Sequence, residues 1–187
     1  MIKLNELRDR AYKIAVAHGW HEEDKSHCHW LCLVISELME AVEADRKERY
    51  ANRSNFNYRI DFFLHEKRLS GEKLNKSFVG AFNDVVKDTV EDELADACIR
   101  LFDYAGVTRY DLDDFDYDYS DTDDYSGMTF TEAMYNITSY VIEWDIPVVL
   151  NEIFAFCQDR EIDIFWHIEQ KMKYNELRPY KHGNKNY

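Results

Sequence analysis

Apolar residues recur at helical spacing along most of the chain. Leu4, Leu7, Ala11, Ile14 and Ala15 predict a first amphipathic helix over residues 3–17, with Gly19 as its stop. A polar connection from His18 to Asp24 follows. Trp30, Leu31, Val34, Ile35, Leu38, Ala41 and Val42 then predict a long second helix from near Ser26 to about Lys47. Residues 50–77 are less regular. Residues 52–57 read as a loop, Tyr58 to Leu69 as a short helix, and Ser70-Gly71-Glu72 as a turn. The pattern resumes at Phe78, and Asp88 or Thr89 is placed to cap a helix over 90–105 that Gly106 closes. Thr89-Val90-Glu91-Asp92 fits a capping box loosely, with Asp where Glu or Gln is usual. Residues 129–144 and 148–160 predict two helices broken at Pro147, and 163–177 a last helix before a basic tail. The expectation is an all-α helical bundle forming a single domain over residues 1–187.

Composition supports that class. Two prolines and six glycines in 187 residues leave too little punctuation for many short strands. No apolar run approaches the roughly 20 residues of a membrane span, and the first six residues lack the basic-then-apolar pattern of a signal peptide. Cys28, Cys32, Cys98 and Cys157 form no CxxC pair, which suits thiols packed as small hydrophobes in a reducing compartment. A cytoplasmic protein without a membrane partner is therefore expected. The formal charge of −14 argues against a nucleic-acid polymer as partner. A small phosphorylated ligand would need local cations, as metal or as Lys and Arg, to overcome that field. Eight aspartates fall within residues 111–124 and predict a solvated loop. Asp114, Asp116 and Asp118 are spaced as in a calcium loop, but Tyr119 stands where Gly is needed and Tyr125 where a bidentate Glu is needed.

The chemistry lies elsewhere. On a helical wheel Trp30, Leu33, Glu37, Glu40 and Ala44 share one stripe of the second helix, apolar at its ends and acidic in its middle. On the helix over 90–105, Glu93 and Asp96 share a face beside Val90, Leu94, Ala97, Leu101 and Ala105. Taking such carboxylates from water costs several kcal/mol each unless protonation or a cation compensates. All-oxygen ligation suits a hard ion, Mg²⁺ or Mn²⁺. One acid-x-x-acid pair is ordinary on a surface helix; two, each against an apolar stripe, leave a metal site and a solvated face both open. A di-iron bundle would need Glu-x-x-His pairs, which are absent.

Ser36-Glu37-Leu38-Met39-Glu40-Ala41 and Asp92-Glu93-Leu94-Ala95-Asp96-Ala97 resemble the ExxE…ExxD signature of MazG-like pyrophosphohydrolases. These belong to the all-α nucleoside triphosphate pyrophosphohydrolase superfamily, which includes the dimeric dUTPases. The run from Lys171 to Gly183 resembles that superfamily's K-x-x-x-N-x-x-R…K-x-G segment, through Lys171, Asn175, Arg178, Lys181 and Gly183. Ser36 stands where the family often has a further Glu. The longer gap between the acid pairs marks the segment near 50–77 as an insertion. The resemblance implies a Mg²⁺-dependent hydrolase that cleaves a nucleoside triphosphate between its α- and β-phosphates. It implies Glu37, Glu40, Glu93 and Asp96 as metal ligands, with Glu37 or Glu40 also able to accept the water's proton. It implies Lys171, Arg178 and Lys181 on phosphate oxygens, and Asn175 on a phosphate, sugar or base. Without it, the same cations read as a basic helix end complementing the macrodipole.

Other features were weighed beside these. His18, His21, His27, Cys28, His29 and Cys32 are dense enough to suggest zinc, yet no second ligand pair has the usual spacing. Arg100 is placed for an i, i+4 ion pair with Asp96 or for reaching phosphate. Tyr135, Tyr140, Trp144, Phe154, Phe156, Phe165 and Trp166 exceed what one small core needs and predict a homodimer or larger assembly. The alternatives to an enzyme are a non-catalytic nucleotide-sensing or protein-interaction module, and an acidic mimic of nucleic acid built on the aspartate loop.

Overall fold

The computed structural model describes residues 3–115 and 117–181. Among them are eight α-helices and no strand: α1 (Leu4–Ala17), α2 (His27–Arg46), α3 (Arg53–Asp61), α4 (Gly71–Val85), α5 (Val90–Thr108), α6 (Phe130–Glu143), α7 (Ile146–Asp159) and α8 (Ile164–Glu176). The all-α expectation holds. No helix among the described residues is long and apolar enough to cross a membrane.

The bundle is organised round α5, which packs against α2, α1, α8 and α7. Its Leu94, Ala97, Cys98, Leu101, Phe102 and Ala105 are fully buried. Each burial of a Leu or Phe stabilises the fold by about 2 kcal/mol. Thr89 starts the helix, its hydroxyl accepting the Asp92 N–H. The loose capping box has a different return: the Asp92 carboxylate takes the N–H of Asp88, one residue before the cap.

Gly106 does not close α5, which runs on to Thr108 and ends with Arg109 in the left-handed region. A Cβ on Gly106 would lie 2.6 Å from the Cβ of Tyr12, so the glycine is what lets α1 approach. Pro147 does not break a helix either. It sits in the first turn of α7 behind the cap Asp145, where a missing N–H costs nothing.

The segment over 50–77 is more ordered than its pattern suggests. Asn52 is an N-cap, accepting the Asn55 N–H at 2.9 Å, and α3 continues through a π-helical turn, Phe62–Glu66. The helix α4 begins at Gly71, seven residues earlier than the apolar pattern shows. Polar caps and few apolar residues make this region look like loop, because only Phe56 of α3 is buried. Its stability comes from a separate small core of Phe56, Phe78, Phe82 and Val86, closed by Tyr174 of α8.

Two further expectations change. Cys98 and Cys157 are packed thiols, but Cys28 and Cys32 are exposed. Of the seven aromatics offered as surplus, Phe154 and Phe156 are buried. Tyr140 and Phe165 pack on the main core and Trp166 on the small one, while Tyr135 and Trp144 remain well exposed. The aromatic surplus is therefore smaller than the sequence implies.

Candidate functional site

The helices α2 and α5 lie against each other and bring their acidic turns together. Glu37, Glu93 and Asp96 each offer a carboxylate oxygen, all within 4.8 Å of one another. Glu40 lies one turn beyond Glu37, exposed and outside that group, although it lines the same cavity. Burial first, then the repulsion of Asp96, pushes Glu37 up to about 7. Burial, with Asp96 and Asp92 beside it, pushes Glu93 up to about 9. These acids resist ionising as they stand, and either a proton or a cation would relieve their repulsion. Carboxylates alone line the group, so a hard divalent ion fits it.

Lys171 of α8 is the cation already there. Its Nζ lies 2.7 Å from Asp92 Oδ2 and 2.7 Å from Asp96 Oδ2, with only 6% of the side chain exposed. Burial works against its charge, but Asp92 and Asp96 hold its pKa above the ordinary lysine range. Arg100, one turn past Asp96, donates Nε–H to Glu37 Oε1 at 3.0 Å. The i, i+4 partner expected for Arg100 is thus replaced by an acid on the neighbouring helix.

Apart from Asp92, these groups border one cavity of about 290 Å³, whose lining includes Glu37, Glu40, Glu93, Asp96, Lys171, Asn175 and Arg178. Asn175 is buried, and its Oδ1 has no hydrogen-bond partner among the described residues. Arg178 lies over the Tyr174 ring at 5.8 Å and makes no ion pair with the described residues. Lys181 is set apart. It pairs with Glu22 at 2.6 Å and lines a second cavity of about 70 Å³, which shares Trp20, Leu33 and Arg100 with the first. The remainder of the C-terminal pattern, including Gly183, lies outside the described residues.

Several residues at the site escaped the sequence reading. Asp92, 1% exposed, was given no role at the site beyond an imperfect cap and a place beside the second acid pair, yet it holds Lys171. Asp103 lines the cavity and pairs with His21 Nε2 at 2.8 Å. Extending the α5 wheel by two turns would have found a continuous polar stripe of Glu93, Asp96, Arg100 and Asp103. Lys87 and Asp88, on the α4–α5 connection, also border the cavity and pair with each other.

The competing candidates fare differently. His27 bonds the Tyr104 hydroxyl, and Trp30 is core. Among the described residues no group spaced to hold a metal contains His or Cys, and none contains an aspartate of the 111–124 loop. Asp116 of the calcium-like spacing lies outside the described residues. Compared with protein-family models, with curated proteins and with solved structures, the chain matches none.

Proposed function

We propose that the protein is a Mg²⁺-dependent nucleoside triphosphate pyrophosphohydrolase of the MazG-like type, releasing a nucleoside monophosphate and pyrophosphate. The observation that carries this reading is the convergence of two distant acid pairs and the α8 residues Lys171, Asn175 and Arg178 on one cavity. Glu37, Glu93 and Asp96 would hold the metal, with Glu40 near enough in the lining to complete its shell or act as base. When bound, Mg²⁺ supplies charge neutralisation of the phosphate chain and lowers the pKa of water.

The chain's own residues divide the remaining work. Lys171 holds Asp92 and Asp96 in place from behind, a positioning role in place of the phosphate contact that the sequence resemblance implies. Arg178, which pairs with no acid among the described residues, binds a phosphate oxygen. The Asn175 Oδ1 accepts a hydroxyl or amine of the nucleoside, which would relieve its buried orphan state. Glu40 accepts the proton of the attacking water. A homodimer in the cytoplasm belongs to the proposal, with the exposed Tyr135, Ile142 and Trp144 of the α6 region as the apolar face it would cover.

A metal-free nucleotide-sensing module is the second reading. It is favoured by Lys171, which already offsets two of the acids. Release of pyrophosphate from the common ribo- and deoxyribonucleoside triphosphates with Mg²⁺ tests the first. Release from at least one, abolished by chelation, is expected. Tight nucleotide binding without release from any would overturn the enzyme reading in favour of the second.

A further inference from the structure

Among the described residues, Arg100 is the one cation at the join of the two cavities, lining the larger acidic one and the smaller one beside Trp20, Lys25 and Lys181. Its guanidinium is oriented from one side only. Nε–H is committed to Glu37 Oε1 at 3.0 Å, and the two terminal nitrogens make no hydrogen bond to any described residue. A guanidinium presents five N–H donors in a rigid plane, so four remain. About a third of the side chain stays accessible, at 32%, and that accessible part is in the cavities. Leaving those donors unsatisfied in a confined space is costly unless a ligand or water takes them.

The charges around it decide what that ligand is. Lys171 is spent on Asp92 and Asp96, Lys87 on Asp88, Lys181 on Glu22, and Lys25 on Glu23. Among the described residues lining the cavities, Arg178 makes no ion pair, and the terminal nitrogens of Arg100 are left to meet an anion once metal offsets the Glu37, Asp96 and Asp103 carboxylates that lie in its field. Both are guanidinium groups, whose fork matches two oxygens of a phosphate. Arg100 also stands next to the proposed metal, because the acid it grips belongs to the three-acid group.

We propose that Arg100 is a substrate-binding residue whose terminal nitrogens grip a phosphate oxyanion at the join of the two cavities, with its Nε tethered to Glu37. This rests on the reading of the larger cavity as a phosphate site. It adds a residue outside both acid pairs and outside the C-terminal pattern.

The test measures binding separately from turnover. Inorganic pyrophosphate with Mg²⁺ is titrated by calorimetry into the wild type, Arg100→Lys and Arg100→Gln. Arg100→Lys keeps a cation for Glu37 and guards against misfolding. It should keep its melting temperature and Mg²⁺ affinity but weaken pyrophosphate binding roughly tenfold, because an ammonium cannot reproduce the fork. Arg100→Gln should weaken it further. A folded Arg100→Lys that binds pyrophosphate as the wild type does overturns the role of Arg100 and leaves the enzyme reading intact. Wild-type binding of pyrophosphate that falls in both variants, with no nucleotide hydrolysed, supports Arg100 while the enzyme reading fails. A wild type that binds no pyrophosphate with Mg²⁺ overturns both.

Discussion

The protein concentrates negative charge twice, to opposite effect. The loop over 111–124 holds eight aspartates; of the seven among the described residues, six are exposed and Asp123 is half-buried. There Asp118 and Asp124 accept the backbone N–H groups of Ser120 and Ser126, and Asp111 accepts from the Asn5 side chain. Those hydrogen bonds hold the three carboxyls below their ordinary range. The cluster of Glu37, Glu93 and Asp96 has fewer acids but lies between helices, where Glu37 and Glu93 are driven upward. Number of charges is therefore a poor guide to a site. What distinguishes the two regions is whether water or protein surrounds the carboxylate, since water screens repulsion that a packed interior does not.

The largest expected effect on this contrast is on turnover. Asp96→Asn keeps the shape of the cluster but removes one charged ligand and one partner of Lys171. Pyrophosphate release should fall by on the order of a hundredfold or more, far beyond any loss of folded protein. Glu40→Ala should also lose turnover with little change in melting temperature, because Glu40 is exposed. Wild-type release by Asp96→Asn would mean that the buried cluster is no more functional than the loop.

A smaller effect is expected on stability. Burial and the neighbouring Asp96 push Glu93 up to about 9 in the fold, against the ordinary glutamate value of 4.5 in the unfolded chain. The folded state then binds more protons than the unfolded between those values, so stability falls as pH rises through that window. His167 works the other way below pH 6.5, since burial lowers it to about 4. The clear window is therefore about pH 6.5 to 9. Without metal, melting temperature should decline across it; Mg²⁺ should flatten the decline. Glu93→Gln should do likewise, stabilising the metal-free protein at pH 8 by on the order of 2 kcal/mol. Thermal melts at four or five pH values check this, and a metal-free protein that gains stability toward pH 9 would contradict the account of the cluster.

The smallest effect is expected in the loop. Asp121→Asn and Asp124→Asn should leave turnover unchanged and melting temperature within about 2 °C, as exposed substitutions usually do. Differential scanning fluorimetry with and without Mg²⁺ reads both. A metal-dependent shift that disappears in these variants would move the metal site to the loop.

The helices were largely legible in the sequence, because a stripe of apolar residues at helical spacing needs no partner to be recognised. Leu94, Ala97 and Leu101 of α5, and the start of α2 near Ser26, are local signals that tertiary structure only confirmed. The acid pairs were legible as anomalies against such stripes. Local pattern misled where meaning depended on a neighbour. Gly106 read as a stop although Tyr12 of α1 requires it, and the first half of α3 read as loop because its support is a core completed by α8. Glu40 has the same local credentials as Glu37, and only the placement of α5 leaves it outside the three-acid group. Asp92 looked like a cap until Lys171, 79 residues away, came within 2.7 Å. Periodicity is set by the geometry of one helix and can be read along the chain. Burial, pKa and pairing are set by what lies opposite, and for this protein only the packing of α2, α5 and α8 decided them.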